Sequence, residues 1–326
     1  MRLFTNTNFQ FVKNRKTFFI LSALLIIAGI IGLVVNGLNW SIDFTSGVAA
    51  KVNLKAAESS VSPLRIDQLR SVLKSNGFPE AEIQHVGDLA DASFMIKIKS
   101  PKSESDVSSD TKNRIIEIIV QNFPDHVKGK DVNRDVIEEI YEVGPKVGGE
   151  LRTQALMAVF ISLILIVIYV WFRFELTFGF MAIAALFHDV LIIIGIFALT
   201  GKEITIQIIA AMLTIVGYSI NDTIVVFDRI REDIKANRKD SYEDVFNAAM
   251  NRTLSRTIIT SGTTLLTSLA LYFFGGSVLQ DFAFAMTLGI VFGTFSSIFI
   301  ASNLVIEWYH FSHKEKQSIQ HLTKKK

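Results

Sequence analysis

Six stretches of this chain are apolar for long enough to cross a bilayer, at residues 17–35, 153–172, 178–199, 204–227, 257–274 and 282–306. In hydrocarbon every backbone N–H and C=O must be satisfied within its own segment, so each stretch has to be a helix. The remaining residues must then fit between the spans or beside the membrane. Arg2, Lys13, Arg15 and Lys16 precede the first run, which is longer than the apolar core of a signal peptide and is followed by no A-x-A site. We read it as an uncleaved first span, with Ala28 and Gly32 as a small face for contact with another helix.

Basic residues set the expected orientation. The N-terminus, Arg173, residues 229–256 and the tail with Lys314, Lys316 and Lys324 to Lys326 fall on one side, while the short opposite loops hold only Lys202. Both termini are therefore expected in the cytoplasm. This divides the chain into residues 1–39 (cytoplasmic N-terminus and span 1), 40–150 (an exported domain), 151–308 (spans 2 to 6, with a cytoplasmic segment at 228–256) and 309–326 (a basic cytoplasmic tail). Residues 228–256 read as one or two amphipathic surface helices, with Ser241 as an N-cap.

Residues 40–150 read as soluble α/β. Strands are expected at 47–54, 82–86, 93–99 and 136–143, and helices at 65–76 and 110–123, with a loop at Ser100-Pro101-Lys102-Ser103. That order is the split β-α-β arrangement of a ferredoxin-like domain. Its role is open between contact with a polypeptide and scaffolding. The Gly144-Pro145 pair with Gly148 and Gly149 suits a hinge or a tight joint into the second span, and it carries no phosphate-loop signature.

A carboxylate in the hydrocarbon region costs about 2.5–3.5 kcal/mol or more, which makes Asp222, late in the fourth run, the first functional candidate. Gln207, Ala211, Thr214, Tyr218 and Asp222 recur at helical spacing as a polar and small stripe, with Asn221 beside it. In the fifth run Arg256, Thr260, Thr263, Thr264 and Thr267 share a face, giving a cation followed by hydroxyls. Asp222 and Arg256 both belong to the cytoplasmic half and can meet, either as a permanent ion pair or as one that opens when Asp222 takes a proton. His188 and Asp189 in the third run are either a hydrogen-bonded contact or a second proton-bearing group. Gly289 and Gly293, four apart in the last run, read as helix contact.

The near-balanced net charge of +2 implies no nucleic-acid partner. The absence of cysteine removes disulfides and thiolate sites, and no H-E-x-x-H or G-x-S-x-G motif is present. No catalytic residue, metal site or cofactor is expected.

Asp43-Phe44-Thr45, Val143-Gly144-Pro145 with Gly148, Phe172-Arg173-Phe174-Glu175, His188-Asp189-Val190, Gly217 to Asp222 running on to Glu232, and Thr253 to Thr257 occur in this order over nearly the whole length. Together they resemble the SecF family of bacterial protein-export membrane proteins, within the resistance-nodulation-division superfamily. The resemblance implies a multi-pass subunit of the bacterial cytoplasmic membrane that works with SecD beside the SecYEG translocon. It further implies that the proton-motive force promotes late steps of export of polypeptide substrates. It places proton passage at Asp222 and Arg256, and a structural or hinge motif at Asp43, Phe44 and Gly47. Where the family usually shows two glycines after Asp-Phe-Thr, this chain has Ser46-Gly47. A stand-alone exporter of small molecules or lipids is the alternative, and a purely structural clamp is a third reading.

Overall fold

The computed structural model describes residues 7–56, 61–87, 92–99, 107–237 and 240–323. The loop expected at Ser100-Pro101-Lys102-Ser103, together with Arg2 and Lys324 to Lys326, lies outside them. Among the described residues six helices are long and apolar enough to cross a membrane: Arg15–Asn36 (α1), Pro145–Arg173 (α6), Leu176–Thr200 (α7), Ile206–Ala236 (α8), Tyr242–Phe274 (α9), and a composite Val278–Ser312. The composite is not one α-helix. Gly276–Phe295 (α10) passes into a π-helical segment, Ser296–Ala301, before α geometry resumes in Ser302–Thr323 (α11).

Between α1 and α6 the chain forms Asn39–Trp40 (β1), Ile42–Thr45 (α2), Gly47–Asn53 (β2), Ile66–Ser75 (α3), Glu82–His85 (β3), Ser93–Lys99 (β4), Val107–Asn122 (α4), Pro124–Val127 (α5) and Ile137–Val143 (β5). The sheet order is β3-β4-β2-β5, antiparallel throughout. Period-two alternation gives it two distinct faces. Val48, Ala50 and Val52 join Phe94, Ile96 and Ile98 in a core with Leu69, Leu73, Ile115 and Ile119 from α3 and α4. The intervening Lys97 and Lys99 point to the opposite face, where they bond to Glu203 and Asn39. A parallel pairing of β1 with Glu203–Ile204 (β6) ties the end of α1 to the α7–α8 connection.

Two expectations are corrected. Residues 228–256 are not separate surface helices: α8 runs on to Ala236 and α9 begins at Tyr242, because the only break in the helical pattern lies between them. Ser241 caps α9 by accepting from the Asp244 N–H, and Ile230, Phe246, Ala249 and Met250 enter the core of the bundle. In α1 Gly32 packs against Leu199 of α7 as expected, whereas the other contact residue is Gly29 rather than Ala28, which is exposed. A Cβ on Gly29 would lie 2.9 Å from the Cα of Gly195, so α1 and α7 cross backbone to backbone.

The joint from α1 into the sheet is a tight turn. Gly47 has φ +153°, and a Cβ there would stand 2.3 Å from the Ile98 carbonyl oxygen. Ser46 before it takes φ 80° and ψ 153°, a region almost reserved for glycine. Its buried hydroxyl has no partner among the described residues. Gly148, in the first turn of α6, sits against this same turn, 3.3 Å from the Ser46 nitrogen and 3.5 Å from the Asp43 carbonyl oxygen when a Cβ is placed on it. Gly144 precedes the helix in extended conformation and Pro145 occupies its first turn, which makes a tight joint rather than a slack one. Ser46→Gly should therefore stabilise the detergent-solubilised chain by about 1 kcal/mol in denaturant unfolding, the backbone relief exceeding the entropy that glycine adds. Ser46→Ala should bring no comparable gain, since alanine keeps the unfavourable φ.

Candidate functional site

Among the described residues, two buried carboxylates inside the bundle are held by hydroxyl groups. Asp222, on α8, accepts from Thr257 Oγ1 of α9 at 2.8 Å and from Ser297 Oγ of the π-helical segment at 2.6 Å. Asp189, on α7, accepts at one oxygen from Ser219 Oγ of α8 (2.6 Å) and from Ser296 Oγ (2.8 Å), and its other oxygen lies 3.0 Å from His188 Nδ1. The Nε2 of His188 is buried without a partner among the described residues. The two serines that reach the two acids are thus consecutive in sequence.

Close approach of helices makes these bonds achievable. Gly293 faces Ser219, with an added Cβ 3.1 Å from the serine Cβ, and Gly289 faces Ile215, where a Cβ would fall within 2.3 Å. Both glycines of the last span therefore set α10 against α8, and the first of these contacts sits beside the residue that bonds Asp189.

Arg256 is not joined to Asp222 by an ion pair among the described residues. It lies on the exposed side of α9, near enough to act on the Asp222 charge through space. Thr260 donates to the Arg256 carbonyl oxygen at 3.0 Å and Thr264 to that of Thr260 at 3.0 Å, so these hydroxyls satisfy themselves on their own helix. Tyr218 donates to Ser261 Oγ at 3.2 Å, and Thr294 reaches the same oxygen at 2.8 Å. Asn221 is exposed. Gln207, Thr214, Gly217 and Asn221 of α8 and Arg256, Thr260, Thr263 and Thr267 of α9 are all exposed, leaving polar and small faces on two adjoining spans.

At the start of α8, Asp43 Oδ2 accepts from the Ile206 N–H at 3.4 Å, placing a negative charge at the helix N-terminus. Phe44 is buried with Phe197 and Ile208. The Asp43-Phe44 motif is thereby fastened to the helix that carries Asp222. Around it the second face of the sheet meets the membrane bundle through polar contacts: Lys97 Nζ to Glu203 Oε2 (2.5 Å), Asn39 Nδ2 to Glu82 Oε1 (2.6 Å), and Gln84 Nε2 to Asp281 Oδ2 (3.4 Å), with Asp281 also bonded by Lys202 Nζ of the α7–α8 connection at 2.5 Å. Glu82, Gln84, Lys97, Lys202, Glu203 and Asp281 border a cavity of about 300 Å³.

Sequence reasoning missed Ser219, Ser296, Ser297, Thr257 and Glu203. The adjacent serines in an otherwise apolar run were the available signal for the first group; Glu203 sat in a short loop with nothing to set it apart.

A family model described as "Protein export membrane protein SecD/SecF, C-terminal" matches residues 125–311, and one described as the SecD/SecF GG motif matches residues 31–49. Protein translocase subunit SecF of Desulfurispirillum indicum is 40% identical over 301 residues, covering 91% of each chain. The SecF of Rhodothermus marinus is 41% identical over 313 residues, covering 94% of this chain and 95% of its own. The crystal structure of SecDF, a translocon-associated membrane protein from Thermus thermophilus, has a TM-score of 0.77 at 39% identity; the match covers 94% of this chain and 39% of that longer one.

Burial pushes Glu203 up to about 7, helped by the Glu82 carboxyl beside it and opposed by the Lys97 ammonium. Lys97 stands above its ordinary value: burial works against its charge, but the Glu203 carboxylate outweighs that. Between about pH 4.5 and 7 the folded chain holds a proton that the unfolded chain has released, so stability falls as pH rises through that window. The fall should reach about 3 kcal/mol at most. Glu203→Gln should flatten it, as read from unfolding midpoints between pH 4 and 8.

Proposed function

Because the chain belongs to the SecD/SecF family of protein-export membrane proteins, we propose that it is the SecF-type accessory subunit of a bacterial protein translocase and uses the proton-motive force to promote late steps of export. It resides in the cytoplasmic membrane as a multi-pass protein with both termini in the cytoplasm. Residues 40–150 form an exported, ferredoxin-like domain, a reading supported by the β-α-β-β-α-β order and the antiparallel β3-β4-β2-β5 sheet. The partner is a SecD-type chain, which the fused SecDF relatives favour. The translocon SecYEG and exported polypeptides complete the assembly. The activity is transport rather than enzymatic catalysis.

The observation that carries the proton role is Asp222, buried in a span yet bonded only to neutral hydroxyls. A carboxylate so placed is solvated enough to ionise and has no fixed countercharge to prevent it from accepting a proton. The exposed faces of α8 and α9 support the rest of the path. Polar groups facing acyl chains would be costly, so this side fits against the SecD-type partner, with Arg256 and the threonines leading toward the acid. His188 and Asp189 act as a second proton-bearing station behind it.

Asp222→Asn should remove at least nine-tenths of the proton-motive-force-dependent increment of protein translocation into inverted membrane vesicles. Its copurification with the SecD-type partner should stay at the native level. Undiminished stimulation by the proton gradient would contradict the assignment; a loss of copurification would favour a clamp.

A further inference from the structure

A serine hydroxyl has one proton and donates one hydrogen bond at a time. Ser296 and Ser297 each face two acceptors. Ser296 Oγ lies 2.8 Å from Asp189 Oδ2 and 3.2 Å from the Gly293 carbonyl oxygen. Ser297 Oγ lies 2.6 Å from Asp222 Oδ2 and 3.0 Å from the Thr294 carbonyl oxygen. In both cases the carboxylate is nearer, and when ionised it is the stronger acceptor. Both serines are fully buried. They also open the segment in which the last span abandons α for π geometry, a deviation that recurs at functional sites.

We propose that Ser296 and Ser297 are positioning residues that convert the protonation of Asp189 and Asp222 into a change of bend in the last span. Each hydroxyl points to its carboxylate while that group is ionised. When the carboxylate takes up a proton, the new O–H donates to the serine oxygen, and the serine proton turns to the carbonyl three residues back. One proton enters from water and none leaves the serine. Back-bonding of this kind bends helices. Because the serines are consecutive, and so are the carbonyl groups of Gly293 and Thr294, both acids act on the same turn. Gly293 is also the contact against Ser219, whose hydroxyl serves Asp189, so a movement there reaches α8. The titratable or charged groups facing the pair are His188 on α7, Arg256 on α9 and Tyr218 on α8, the last bonded to Ser261 rather than to either acid.

This inference rests on Asp222 carrying protons, and its test is separable from that reading. The chain has no cysteine, so Val291→Cys and Trp308→Cys, both exposed and flanking the π-helical segment, can be spin-labelled cleanly. Their separation is about 25 Å by helical rise, within the range of pulsed electron paramagnetic resonance. The full chain, reconstituted with its SecD-type partner, should show a shift of about 2 Å between pH 8 and pH 5. Ser297→Ala should abolish most of that shift and Ser297→Thr should restore it. A native chain with no shift, or a Ser297→Ala chain that keeps it, would overturn the proposal. The translocation assay with Asp222→Asn is scored separately, so a failed hydroxyl switch is distinguishable from a failed proton role.

Discussion

Hydrogen bonds from serine and threonine hydroxyls to two carboxylates within the bundle are the constraint on which the membrane part depends. An acid removed from water needs donors, and here they come from four different elements: α7 itself, α8, α9 and the π-helical segment. Short side chains reach only when helix axes are close. The last span therefore meets α8 at Gly289 and Gly293, and α1 meets α7 at Gly29 and Gly195. The chemistry of the acids and the spacing of the helices are the same requirement seen from two sides.

That constraint extends beyond the membrane because α8 carries a functional group along its length and an anchor at its start. Its first turn receives the Asp43 carboxylate from the turn leading into the sheet, and the β1–β6 pairing lies immediately before it. Alternation along β4 then sends Phe94, Ile96 and Ile98 into the domain core and Lys97 toward Glu203. The start of α8 is thus tied to the joint under the sheet by the Asp43–Ile206 hydrogen bond and, through the preceding β6, by the Lys97–Glu203 contact. The strained Ser46 and the glycine-only Gly47 lie in that joint, where backbone freedom is least.

Much of this was legible in the residues, and the rest was not for physical reasons. The spans were readable because their length is fixed by the bilayer, and β4 was readable to its end residues, Ser93 and Lys99, because alternation and a polar boundary coincide there. Asp222 stood out as a cost in hydrocarbon. Its partners did not: local spacing places Arg256 and Asp222 in the same half of the membrane, but which donor reaches the carboxylate depends on the rotation of three helices about their axes. The π-helical segment was invisible because the run around it is apolar on nearly every face, so an extra residue in a turn displaces no visible stripe. The extension of α8 and α9 past residue 228 was missed because charged residues suggest a boundary, whereas burial of Ile230 and Phe246 keeps the helices whole.

The central claim is that a proton reaches Asp222 and crosses the membrane by way of it. Proton uptake into sealed vesicles carrying the chain with its SecD-type partner, driven by an imposed pH difference and read with an internal dye, tests this most directly. The account predicts uptake several-fold above protein-free vesicles for the native chain and a return to that baseline for Asp222→Asn. Equal uptake by the two chains would contradict it.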